Sequence, residues 1–225
     1  MTKLLFIRGH NTNLTDSYDK YHNFLTFFES YNVNVTYINY TPEDDICEMY
    51  KSVCNMIRKN KYDYIVGHSM GGCLLMRYIF DHNVSKFKKI ILLMPLVYKE
   101  PIIDLLCNIP FIDKLQCPKP ILYPENSLYD EGNILNDRDV WKQIPLGQIV
   151  DCYDKLLLSD SSIITTLNKN PNCWLFYATD ERFATINKSV LLQITNTQIV
   201  NGKHECFNEN ANSHSFFKAL RKRMF

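Results

Sequence analysis

The chain has 225 residues, a length that suits one domain with a sizeable core and falls short of two domains of ordinary size. It carries 25 lysines and arginines against 24 aspartates and glutamates, a formal net charge of +1, so nothing electrostatic points to nucleic acid or to a strongly acidic partner. At 46% hydrophobic residues, the composition is that of a folded globular protein and not of a disordered one.

The chain opens Met1-Thr2-Lys3-Leu4-Leu5-Phe6-Ile7-Arg8-Gly9. Its apolar run is too short for a signal-peptide core and breaks at Arg8, so it reads as a strand over Lys3–Ile7. Short apolar runs then alternate with amphipathic stretches, the pattern of βαβ units and a parallel sheet. Strands are expected at Val33–Asn39, Tyr62–Val66 and Lys89–Met94, the last continuously apolar, as a central parallel strand covered on both faces requires. Helices are expected near Ser17–Ser30, Pro42–Asn60 and Met70–His82. The second has Thr41 as N-cap, Pro42 at the first helical position and Glu43, Asp44 and Asp45 in a first turn that favours acids.

Beyond Pro95 the alternation loosens, and most of the prolines fall between Pro95 and Pro171. This stretch, about residues 95–170, reads as an insertion over the sheet. It holds an apolar run around Ile102–Ile112 and a helical face made of Leu146, Ile149, Val150, Tyr153, Leu156 and Leu157. Alternation resumes with a strand at Cys173–Ala178, a helix near Glu181–Leu192, a strand at Thr197–Val200 and a basic amphipathic helix near Asn208–Lys222. No stretch approaches the roughly 20 apolar residues that cross a bilayer.

The eight cysteines, at 47, 54, 73, 107, 117, 152, 173 and 206, include no C-x-x-C pair and no combination with histidine at zinc-ligand spacing. Cys54, Cys73 and Cys173 fall inside apolar helix or strand patterns, where a free thiol serves as a small buried hydrophobe. Reduced thiols fit an intracellular, cytoplasmic location.

The most informative feature is Gly67-His68-Ser69-Met70-Gly71-Gly72. It follows the strand ending Tyr64-Ile65-Val66 directly and precedes an apolar helix directly, which is G-x-S-x-G in the strand-turn-helix setting of a nucleophile elbow. The serine of such a turn is strained upward above the sheet, and the positions two before and two after it must be small; Gly67 and Gly71 meet that demand. The helix that follows offers exposed amides and a favourable dipole to an oxyanion. A glycine-rich strand-to-helix turn without chemistry is the plain alternative.

G-H-S-M-G-G resembles the elbow of the α/β-hydrolase family, in particular its monoglyceride-lipase-like, lysophospholipase-like and small carboxylesterase members, and the resemblance covers nearly the whole chain. It implies a reduced α/β-hydrolase fold: about six strands in a mainly parallel sheet, by counting apolar runs, with helices on both faces and the 95–170 insertion as a cap. The usual first two antiparallel strands have no counterpart here. The resemblance further implies a triad in the order serine, acid, histidine. Asp180, in Thr179-Asp180-Glu181-Arg182 after the penultimate strand, is the favoured acid, with Glu181 as the reserve; Asp180 can equally cap the helix that follows. His204, in Asn201-Gly202-Lys203-His204 after the last strand, is the expected general base. The oxyanion hole is expected from the backbone N–H groups of Met70 and His10, with Asn11 as an alternative to His10. Arg8-Gly9-His10 departs from the family's usual His-Gly loop. His68 is expected to shape the elbow and not to react, and His22, His82 and His214 to face solvent.

These residues point to a small-molecule carboxylic ester with an apolar acyl group as substrate, with a thioester next within the same mechanism. No metal or organic cofactor is required. A catalytically silent scaffold that binds a partner, and a peptidase, are the competing readings.

Overall fold

The computed structural model describes residues 2–9, 21–38, 45–95, 155–181, 186–208 and 212–225. Six strands, β1 (Thr2–Ile7), β2 (Val33–Tyr37), β3 (Tyr64–His68), β4 (Lys89–Leu93), β5 (Cys173–Ala178) and β6 (Thr197–Val200), form one sheet in the order β2-β1-β3-β4-β5-β6. Every neighbouring pair is parallel. The helices are α1 (His22–Glu29), α2 (Ile46–Lys59), α3 (Met70–Asp81), α4 (Asp160–Lys169), α5 (Lys188–Leu191) and α6 (Ser213–Met224).

Side chains on a strand alternate between the two faces of the sheet, and here each face has its own core. Leu5, Ile7, Ile65, Ile90, Leu92, Cys173 and Leu175 face one way and pack with residues of α2, α3, α4 and α5. Leu4, Phe6, Val66, Ile91, Leu93 and Phe176 face the other way and pack with α1 and α6. The second core is aromatic: Phe6, Phe24, Phe28, Phe207 and Phe216 are each fully buried. Burial on both faces explains why β4 reads as an uninterrupted apolar run.

The chain leaves β1 outward to β2, then returns past it to β3. The loops at the carboxyl ends of β1 and β3 therefore run in opposite directions and open a crevice between them, where α/β sheets place their sites. Gly9 and Ser69 stand at its two sides. The start of α3 is pressed against the end of β1 so closely that a Cβ on Gly71 would lie 2.2 Å from the Ile7 carbonyl oxygen and 2.3 Å from that of Arg8.

Three expected helix boundaries are corrected. Helix α2 starts at Ile46, because Asp45 is extended (φ −60°, ψ 140°) and caps it by accepting from the Cys47 N–H at 2.7 Å. The proposed start at Thr41 and Pro42 lies outside the described residues. Helix α6 starts at Ser213, since 203–208 are taken up by turns, including Asn208 N–H to the Glu205 carbonyl at 2.8 Å. Helix α5 is a single turn capped by Asn187. Most of the expected cap at about 95–170 lies outside the described residues. Its last part holds α4, unanticipated from the sequence, whose Ile163 and Leu167 join Leu156 in the core beside α3. No described helix is long and apolar enough to cross a membrane.

Because the atoms that a Cβ at position 71 would meet are backbone, no side-chain adjustment can make room for it. Gly71→Ala is therefore expected to cost about 3 kcal/mol or more. Urea unfolding measures this, and a loss below about 1 kcal/mol would show that α3 can move off β1.

Candidate active site

Strand β3 ends at His68 and α3 begins at Met70, leaving Ser69 alone in the turn with φ 54° and ψ −120°. A positive φ is uncommon outside glycine and costs on the order of 1–3 kcal/mol, so the surroundings must hold it. They do so through the backbone. Ser69 N–H donates to the Leu93 carbonyl at 2.9 Å, and its own carbonyl accepts from Cys73 N–H at 3.1 Å. A Cβ on Gly67 would meet the Gly71 carbonyl oxygen at 2.6 Å, so both small positions of the motif are sterically required. Met70 is the first helical residue, and helical geometry supplies no carbonyl four residues back for its amide. His10 and Asn11, the candidates for the second amide, lie outside the described residues.

His204 sits in the turns that follow β6 and is buried, at 2% exposure. Its Nδ1 donates to Glu181 Oε2 at 2.8 Å. The carboxylate against the imidazole Nδ1 is thus that of Glu181, the reserve candidate, and its placement has a structural cause. The β5–β6 ladder continues past β5, with Thr179 N–H to the Val200 carbonyl and Asp180 N–H to the Gly202 carbonyl, both at 2.9 Å. This ties the Asp180 backbone to the turn after β6 and leaves Asp180 half-buried. Glu181 follows as its N–H returns to the Ala178 carbonyl, and its side chain is buried against the ring.

The two loops converge around a second histidine. His68 Nε2 donates to the His204 carbonyl at 3.3 Å, and the two rings lie 4.9 Å apart between centroids. On its other side, His68 Nδ1 is 2.9 Å from the Tyr21 hydroxyl, which accepts from Gly9 N–H at 3.1 Å. His204 is thereby held beside the elbow, one residue from Ser69. Ser69, His68, Glu181 and His204 are all buried, as are Arg8 and Glu205. Sequence reasoning misses Tyr21, since it falls on the apolar stripe of its helix. The available signal is its hydroxyl, because a buried tyrosine usually finds a polar partner. Of the other histidines, His22 and His214 are exposed as expected, whereas His82 is half-buried and stacked on Tyr78 at 4.3 Å.

Among the described residues, no group of three or more histidine, cysteine, aspartate or glutamate side chains is placed to hold a metal ion. The Cys173 thiol, within the sheet, is pushed up to about 12 by burial, and burial also raises Cys54.

This sheet order, with a serine elbow between β3 and α3, is the α/β-hydrolase fold, and solved structures of that fold superpose on nearly the whole chain. A mutant of the haloalkane dehalogenase DatA from Agrobacterium tumefaciens C58 matches 99% of this chain and 89% of its own, with a TM-score of 0.67 and 12% identity. A bromoperoxidase from Bacillus anthracis matches 99% of this chain and 91% of its own, with a TM-score of 0.63 and 14% identity. The esterase EaEST from Exiguobacterium antarcticum matches 100% of this chain and 92% of its own, with a TM-score of 0.62 and 13% identity. No protein-family model matches the sequence, and no curated protein matches it.

The pairing of His204 with Glu181 is open to a test that needs no substrate. A low-field Nδ1–H proton resonance is expected in the wild-type protein and in Asp180→Asn, and it should be lost or shifted upfield in Glu181→Gln. The reverse pattern would assign the contact to Asp180.

Proposed function

We propose that this chain is a serine hydrolase that cleaves a carboxylic ester of an apolar acyl group through an acyl-enzyme on Ser69. The observation that carries this reading is the buried His204–Glu181 pair anchored beside a serine held at positive φ. In the proposed reaction, His204 Nε2 takes the proton of Ser69 Oγ as that oxygen bonds to the ester carbonyl carbon. The Met70 and His10 amides donate to the resulting oxyanion. When the carbon–oxygen bond to the alcohol breaks, His204 returns the proton to the leaving oxygen. Water repeats the sequence: it gives a proton to His204, attacks the acyl carbon and releases a carboxylic acid and free Ser69. Glu181 remains a carboxylate throughout, orienting the imidazole and compensating its charge while it is protonated.

Fold alone does not select this chemistry, as the dehalogenase and bromoperoxidase among its structural neighbours make plain. The serine nucleophile argues for acyl transfer. The esterase EaEST and the lipolytic enzymes LipS and LipT add support from the same fold. The apolar acyl preference rests on the segment around Ile102–Ile112, which lies outside the described residues.

A fluorophosphonate probe tests the proposal. The wild-type protein should be labelled, and Ser69→Ala should not be. Activity on p-nitrophenyl butyrate should fall at least about a thousandfold in Ser69→Ala, as expected on removing a nucleophile. A folded wild-type protein that resists the probe would favour the silent scaffold. Running the butyryl ester against its thioester and its anilide then ranks the substrate classes.

A further inference from the structure

We propose that Tyr21 and His68 form a positioning relay that locks the loops after β1 and β6 onto the nucleophile elbow. Its catalytic consequence rests on the serine-hydrolase reading above, whereas its hydrogen-bond polarity does not.

The polarity follows from the partners. His68 Nε2 faces the His204 carbonyl, which can only accept, so Nε2 carries the proton. In the neutral ring that makes Nδ1 an acceptor, and the Tyr21 O–H must donate to it. The phenolic oxygen then accepts from Gly9 N–H. The chain of donors is continuous: Gly9 N–H to Tyr21, Tyr21 O–H to His68, and His68 N–H to the His204 carbonyl. It joins the loop carrying the His10 amide, the residue before the nucleophile and the residue that bears the base.

The need for such a tie is set by the strand order. Strands β1 and β3 are neighbours, but β6 lies three strands from β3, roughly 14 Å at the usual strand spacing. The loop after β6 must cross β4 and β5 to bring His204 to Ser69. On the elbow side, His68 meets it with a bond to the His204 backbone carbonyl. Phe207, three residues on, braces the arrival: its ring is stacked on Tyr21 at 5.7 Å and meets the His68 ring edge-on at 5.1 Å.

Packing alone does not call for a hydroxyl at position 21. Tyr21 is 1% exposed, with Phe6 at 4.8 Å and Phe207 against it, a setting in which a phenylalanine ring fills the same space. What the oxygen adds is polar, and its links to Gly9 and His68 both lead to the site. Tyr21→Phe would remove the donor to His68 Nδ1 and the acceptor of the Gly9 N–H together, loosening the placement of the groups that must meet in the transition state.

The experiment is Tyr21→Phe, assayed on p-nitrophenyl butyrate and with the fluorophosphonate probe alongside the wild-type protein. The relay predicts that kcat falls about ten- to a hundredfold, that KM stays within about twofold, and that labelling of Ser69 slows by a factor similar to kcat. A folded variant whose kcat is within about twofold of wild type overturns it, as does a change confined to KM. A wild-type protein that is not labelled contradicts the hydrolase reading instead. In that case, or if the variant does not fold, nitrogen-15 spectra of the wild-type imidazoles decide: His68 as the Nε2–H tautomer supports the relay, and the Nδ1–H tautomer overturns it.

Discussion

The site depends on two backbones coming closer than side chains would allow. Helix α3 can begin one residue after β3 only because Gly71 lies against the Ile7 and Arg8 carbonyls and Gly67 lies against Gly71. That contact fixes the axis of α3 relative to the sheet, and Ser69 takes up the remaining angle at φ 54°. The strain is local, and the packing that opposes its release is extensive. Leu74, Leu75 and Ile79 of α3 sit in the core with Ile65 and Leu92 of the sheet, so relaxing the turn would mean withdrawing a largely buried helix.

A second constraint concerns the opposite face. The imidazoles of His68 and His204 lie where the aromatic core meets the carboxyl edge, ringed by Tyr21 and Phe207. An apolar wall makes each unpaired polar atom costly, which favours a single hydrogen-bonded arrangement over several. The same burial strengthens the interaction of Glu181 with the imidazole relative to water. Positioning and electrostatics therefore come from one feature, the closure of an aromatic layer over the bases of three loops.

Much of this is legible in the sequence. All six strands can be placed because each is a short segment rich in apolar or β-branched residues set between helical stretches, and the elbow stands out because glycine spacing and context coincide at 67–72. Which of the two adjacent carboxylates meets the imidazole does not read from the sequence, because that depends on how the turn after β5 aims them. That aim is set by the Thr179 and Asp180 amides pairing with Val200 and Gly202, a long-range contact invisible to local pattern. Helix α4 escapes a sequence reading because Asp160-Ser161-Ser162-Ile163-Ile164-Thr165-Thr166-Leu167 is rich in Ser, Thr and Ile, weak helix formers that tertiary packing overrides. Tyr21 goes unnoticed because periodicity reports where a ring goes and says nothing of its hydroxyl.

The central claim is that an acyl group passes through Ser69, and the most direct measurement is to catch it there. Turnover of p-nitrophenyl butyrate quenched with acid, followed by digestion and mass spectrometry, should reveal a butyryl group on the peptide containing Ser69, formed faster than product accumulates in steady state. Ester hydrolysis that proceeds normally with no acyl group on Ser69, or with the acyl group on another residue, would contradict the account.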